Sequence, residues 1–396
     1  MMKKIIDKLS AVLLIICFVS LLYSGMIITL TEKHSSFSYY ENRNLAEFPK
    51  YSRKALIDGS YTSGLENWLS DFAAYRESLL KLQTLTDIKI FNRPMVNEVV
   101  INDDVLLPWK DFEVVNNIKI AELAEIISDR LKNHAELTEK NGGNFYYVSV
   151  PCQYVCFEDK YLEFMNNRKM YTDASKSALF SRLSERGVNY IDMYEKYEAA
   201  GGAEKFSSKV DNHFNIMGAY ETYLAIMDCV REYYPDIDIL EKDEYTISEL
   251  PNPYLGSRGR KLFGLIDGKE KMSIIFPFKD IPFERTNNGF SGAPTVYQLP
   301  ENDNENILYS LYMGGDFGET VIDTQRRELP SILIYGDSFT NGVESLIWYS
   351  FDKMNSLDFR HYKDMTLEEY IKKEKPEIVA CIRDYEAMLL LEANGQ

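Results

Sequence analysis

Histidine is scarce in this chain, with four among 396 residues. Cysteine is nearly as sparse, at five, and none of them falls in a paired Cys or His spacing that would hold zinc. Basic residues are in deficit, with 44 Lys and Arg against 61 Asp and Glu and a net charge of -17. A chain of this charge repels phosphate backbones, and no run of Lys or Arg offsets it, so nucleic-acid binding is excluded. Internal repeats and low-complexity tracts are absent. What remains is a globular composition, 45% apolar and 27% charged, long enough for one large domain or two to three smaller ones.

One apolar run stands out. From Leu9 to Thr31 the sequence LSAVLLIICFVSLLYSGMIITLT carries no charge, and a membrane-spanning helix needs ~20 apolar residues. Lys3, Lys4 and Lys8 precede it, which predicts a cytoplasmic N-terminus and an extracytoplasmic bulk. A cleaved signal has a shorter apolar core of ~7–15 residues and an A-x-A-like site. This run is longer and lacks that site, so an uncleaved single-pass anchor is expected. Cys152, Cys156, Cys229 and Cys381 then lie in an exported domain, where disulfides are allowed but the spacing forces none.

The chain accordingly reads as a cytoplasmic tail (1–8), a transmembrane anchor (9–31), a juxtamembrane strap and helix (32–95) and a main domain (96–396). Helical periodicity is expected over 61–92, and a hairpin over EVVIND-DVLLPW with its turn at Asn102–Asp104. A helix at 111–141, a buried strand at 144–150, a helix at 172–186, a strand at 188–193 and a helix at 217–233 follow. After an insertion at about 247–330, rich in Gly, Pro, Asn and Asp and with several short strand candidates, the alternation returns. It comprises strand 331–337, helix 341–350, strand 356–362, helix 366–374 and strand 377–384. Strands alternating with helices predict an α/β fold with a parallel sheet and helices on both faces.

Gly336-Asp337-Ser338 follows an apolar strand and opens a helix. In open parallel sheets, ligands bind beyond the carboxyl ends of the strands. A serine there sits where backbone N–H groups and the helix dipole stabilise negative charge. Asn341 lies three residues on and offers a side-chain N–H, so Ser338 and Asn341 are candidate oxyanion donors. The motif is not the G-x-S-x-G elbow, since the next glycine is Gly342. A nucleophilic serine needs a base, and with four histidines elimination has force. His34 adjoins the apolar run, and His134 lies on the charged stretch DRLKNHAELTEK. His361 reads as a half-exposed strand residue. His213 lies in Val210-Asp211-Asn212-His213-Phe214, where an extended loop would turn Asp211 and His213 the same way, the carboxylate holding the imidazole. Two other signals fail. Gly264 to Glu270 superficially matches a phosphate-binding loop, but its glycine spacing is short and no Ser or Thr follows Lys269, so a turn is expected. Gly314 to Gly318 does not open a periodic helix, as a dinucleotide fingerprint requires.

The G-D-S serine together with a D-x-H pair resembles the SGNH hydrolases. The order of the two motifs resembles the alginate O-acetylation proteins AlgJ and AlgX, and the chain is most similar to the bacterial DHHW group. Glu41-Asn42-Arg43-Asn44-Leu45-Ala46-Glu47-Phe48-Pro49, Asp58-Gly59-Ser60-Tyr61, Asp71-Phe72-Ala73-Ala74-Tyr75-Arg76, Val150-Pro151 and Leu357-Asp358-Phe359-Arg360 match that group's segments. The D-H-H-W motif is here Asp211-Asn212-His213-Phe214, with Asp and the second His kept. Residue 153 is Gln, where many relatives carry a basic residue.

The resemblance implies an SGNH-like, flavodoxin-like sheet preceded by the membrane helix, and a Ser338–His213–Asp211 triad. It also implies O-acetyl transfer to a cell-surface polysaccharide, and a multi-spanning membrane acyltransferase as partner. The inferred mechanism needs no metal and no diffusible organic cofactor. An acetyl-esterase with the same triad and a non-catalytic scaffold of a polysaccharide complex stay open as alternatives.

Overall fold

The computed structural model describes residues 2–31, 35–112, 114–266 and 268–391. His34 lies outside the described residues, as does Asp267 of the Gly264–Glu270 segment. The chain divides into two compact units, residues 1–97 with 260–265, and residues 98–259 with 266–396.

In the first unit one helix, Met2–Thr31, is long and apolar enough to cross a membrane over Lys8–Thr31. The strap after it is not wholly extended. Phe37–Ser38 pairs with Arg43–Asn44, and Arg53–Ile57 forms a short helix capped by Ser52. The helix expected over 61–92 is two helices, Ser60–Phe72 and Arg76–Lys89. They are parted where Tyr75 takes a left-handed φ of 62°, a conformation that interrupts helical hydrogen bonding. The block that spans this break, residues 71–76, is joined by ion pairs to the block at 41–49. Arg43 Nη1 donates to Asp71 Oδ2 at 2.9 Å, and Arg76 donates to both oxygens of Glu41 at 2.7 and 3.0 Å. The Arg43 hydrogen bond pulls the Asp71 carboxyl down to about 2.

The second unit is built on an eight-stranded sheet. Its order is Phe290–Ser291, Glu284–Asn287, Glu319–Asp323, Lys353–Leu357, Ile332–Tyr335, Ile378–Asp384, Asn144–Val150 and Tyr190–Asp192. The last five strands are parallel. The first three are antiparallel. The segment read as an insertion therefore does more than interrupt the alternation, because its strands extend one edge of the parallel sheet. Helices Asn117–Lys140, Lys169–Glu185 and Leu367–Glu374 pack together, and Met193–Ala199, Ile216–Arg231 and Thr340–Ile347 pack as a second layer.

The central strands are buried along their whole length because both faces are covered. Ile332–Tyr335 is buried at every position, and Asn144–Val150 at all but its first. Such strands read as continuous apolar runs rather than alternations. The strand expected over 356–362 instead runs Lys353–Leu357. Asp358 ends it by folding the chain back: Oδ1 accepts the Arg360 N–H at 2.9 Å, and its carbonyl accepts those of His361 and Tyr362. His361 thus sits exposed on a turn rather than in a strand.

Candidate active site

Ser338 stands at the carboxyl end of the central strand. The chain leaves that strand through Gly336, where a Cβ would lie 2.6 Å from the Ile382 carbonyl oxygen and 2.4 Å from Thr340 Cγ2. No other residue fits so close to the neighbouring strand. Asp337 then fixes the turn. Its Oδ1 accepts the Phe339 N–H at 3.0 Å, its carbonyl accepts the Thr340 N–H and hydroxyl at 2.9 Å each, and its Oδ2 accepts from Arg383 at 3.2 Å. Ser338 is left half-buried just ahead of the helix Thr340–Ile347. Its N–H has no hydrogen-bond partner among the described residues.

Asp211 and His213 come from a loop far away in sequence. The loop is a closed turn rather than the extended segment expected. Ser207 bridges Phe214, and the Ser208 N–H donates to the His213 carbonyl at 3.1 Å. Within it Asp211 Oδ1 accepts both the His213 N–H at 3.3 Å and the Nδ1 proton at 2.6 Å. The side chain therefore bonds back across its own turn, as Asp commonly does. His213 Nε2 lies 2.8 Å from Ser338 Oγ. With Nδ1 bonded to a carboxylate, Nε2 is the lone-pair nitrogen of the neutral ring, free to accept the hydroxyl proton.

The second oxygen of Asp211 is also engaged, accepting the Ser257 N–H at 2.6 Å. Burial would raise the Asp211 carboxyl, but the His213 hydrogen bond and charge, the Ser257 N–H and the nearby Arg258 charge together hold it well below the usual range. Asp211 is thus an anion, 3% exposed, and His213 is 8% exposed. On one side the Tyr309 ring lies flat on the imidazole, centroids 3.7 Å apart and planes within 4°. Phe339 lies tilted beside it, centroids 4.9 Å apart, and Phe214 packs edgewise on Phe339. Asn212 Nδ2 approaches His213 Nε2 at 3.5 Å, and its Oδ1 accepts from Ser257 Oγ at 3.2 Å.

Asn341 is buried in the first turn after Ser338, and one N–H of its amide is already given to Asp316 Oδ1 at 2.8 Å. Gln153, the departure from the group's basic residue, is buried. Its Nε2 donates to the Leu106 carbonyl at 2.9 Å and to that of Ser208 at 3.1 Å, tying the hairpin to the loop that carries Asp211 and His213. Ser257, Tyr309 and Arg258 went unread in the sequence. Each is set on His213 or Asp211 by tertiary folding, and none carries a local signal; the left-handed Gly256 (φ 61°) before Ser257 is the nearest to one.

The other two described histidines, His134 and His361, lie elsewhere. His134 is buried beneath the sheet, not on a solvated helix face, with Nδ1 3.2 Å from the Tyr335 hydroxyl. Burial pushes it down to about 4, with Arg130 adding to the effect. Asp316, Asp358 and His361 bring one ligand atom each within 4.8 Å. The Arg360 guanidinium already bonds both carboxylates there, at 2.6 and 2.8 Å. A cation would have to displace it, so this cluster reads as an internal ion pair. The five cysteines are free thiols, and burial raises Cys156 to about 12 and holds Cys152 well above its usual value, leaving both unreactive.

No family model and no curated protein matches this sequence. Solved structures do. Bacillus cereus PatB1 is similar at a TM-score of 0.59 and 21% identity, over 73% of this chain and 96% of that one. PatB1 with a sulfonyl adduct gives 0.58 and 20%, over 74% and 96%. A DHHW family protein from Eubacterium siraeum gives 0.55 and 17%, over 74% and 93%. These likenesses show that the present chain shares the α/β fold of those proteins.

Proposed function

We propose that this protein is a membrane-anchored, extracytoplasmic O-acetyltransferase that acts on a cell-surface polysaccharide through Ser338, His213 and Asp211. One observation carries the reading: the unbroken line of contacts from Asp211 Oδ1 to His213 Nδ1 at 2.6 Å and from Nε2 to Ser338 Oγ at 2.8 Å. In the first half-reaction Ser338 Oγ attacks the acetyl carbonyl carbon while His213 Nε2 takes its proton. The donor's leaving group departs with that proton, and an acetyl-Ser338 ester remains. In the second, a sugar hydroxyl attacks the ester carbonyl, His213 takes the hydroxyl proton and returns it to Ser338 Oγ, and the sugar leaves acetylated. Asp211 keeps the imidazole in its tautomer and stabilises the cation that forms. The Ser338 N–H is the principal donor to the oxyanion, and Asn341 adds at most the free half of its amide.

Transfer is preferred to hydrolysis because an enzyme tethered beside growing polymer can hold its acceptor. An oriented hydroxyl reaches effective molarities of ~10⁵ M or more, enough to outrun bulk water. The motif order shared with AlgJ and AlgX supports the acetyl group, the polysaccharide acceptor and a multi-spanning acyltransferase that supplies acetyl across the membrane. The test is mass spectrometry of surface polysaccharide from a Ser338→Ala strain beside wild type. Loss of O-acetyl groups is expected. A gain would make the protein an esterase, and no change in any surface polymer would make it a scaffold.

A further inference from the structure

Gly268 and Glu270, from the stretch that fails as a phosphate loop, lie against the loop that carries Asp211 and His213. Gly268 lies flush on the catalytic loop, where a Cβ would come 2.1 Å from Val210 Cγ1. Two residues on, Glu270 Oε2 accepts the Ser208 hydroxyl at 2.9 Å and the Lys209 N–H at 2.7 Å. Ser208 is the hub of the loop. A hydroxyl has one proton and two lone pairs, and Ser208 uses all three. Its proton goes to Glu270, while Oγ accepts the Val210 N–H at 3.2 Å and the Asp211 N–H at 2.9 Å. Both acceptances require the hydroxyl proton to point away from those N–H groups, and Glu270 is what turns it away. The loop's far side is held separately, by the Ser257 N–H on Asp211 Oδ2.

We propose that Glu270 is a positioning residue for the triad: by orienting the Ser208 hydroxyl it fixes the backbone at Asp211, and through Asp211 the ring of His213. This rests on the acyl-transfer reading of the site. Glu270 lines a cavity of about 440 Å³ that Tyr309 and Phe214 also border, and Ser338 is not among its lining residues. Glu270 therefore acts on the reaction through Ser208 and Asp211 rather than by touching the acyl group.

The test uses the full-length protein in detergent and two variants. Misplacing a catalytic group by about 1 Å can cost ~10²-fold in rate. Glu270→Ala should therefore lower kcat for p-nitrophenyl acetate by about tenfold or more with KM within about twofold. Glu270→Gln keeps an oxygen to accept both bonds, and should stay within about threefold of wild type. Hydrogen exchange read by mass spectrometry should show the 207–214 segment losing protection in Glu270→Ala and keeping it in Glu270→Gln. Unchanged kcat and unchanged exchange in Glu270→Ala would overturn the proposal, as would a Gln variant as slow as the Ala variant. A Ser338→Ala protein as active as wild type would sink the acyl-transfer reading instead, and the exchange result would then decide whether Glu270 holds the loop.

Discussion

Three carboxylates near the Asp211–His213 loop show how burial and partners settle a group's charge. Asp211 is buried yet anionic, because His213, Ser257 and Arg258 together outweigh the desolvation. Asp104, at the surface, is lowered by its hydrogen bond to Lys209. Glu270 goes the other way. Burial raises it from 4.5 to about 7, helped by the nearby Asp211 charge and opposed by the Ser208 and Lys209 donors. The sign for stability follows. A carboxyl whose folded value is raised binds its proton more tightly in the native state, so folding loses stability as pH climbs from about 4.5 to about 7 and levels off above. The shift corresponds to on the order of 3 kcal/mol. Glu270→Gln should therefore flatten the fall in melting temperature over that window, measured by calorimetry at stepped pH. A parallel fall in the variant would show that Glu270 does not titrate there.

At the scale of elements, the site depends on how tightly one strand end is folded over its neighbour. Adding a methyl at Gly336 pushes against the Ile382 carbonyl and Thr340, and overpacking of this kind destabilises by ~1–3 kcal/mol. Gly336→Ala should lower the urea midpoint and, by moving Ser338 off His213, slow acetylation of Ser338 by p-nitrophenyl acetate by ~10²-fold. Full activity in a destabilised variant would mean that Ser338 tolerates displacement. The sequence made the parallel core legible because buried strands are unbroken apolar runs; Asn144–Val150 has the same bounds in the structure. The pairing of the short strands in the 247–330 stretch was not legible. The antiparallel edge strands are two to five residues long, too short for a periodicity, and only their pairing defines them. The over-long strand at 356–362 was stopped by Asp358 hydrogen bonds that apolar content does not reveal. For the site, scarcity of histidine pointed to His213, while Tyr309, Ser257 and Glu270 reach the loop only through the fold.

For the whole molecule, the claim is topological as well as chemical. Lys3, Lys4 and Lys8 ahead of one apolar helix predict a single span with residues beyond it outside the cytoplasm. Protease added to cells with permeabilised walls should degrade the main domain, and full protection would contradict the orientation. The most direct measurement is the intact mass of the full-length protein, quenched in acid after brief exposure to p-nitrophenyl acetate. Wild type should carry one acetyl group, located to Ser338 by peptide mapping. His213→Ala should acquire it far more slowly, and Ser338→Ala not at all. An acetyl group on another residue, or the same labelling in Ser338→Ala, would contradict the account.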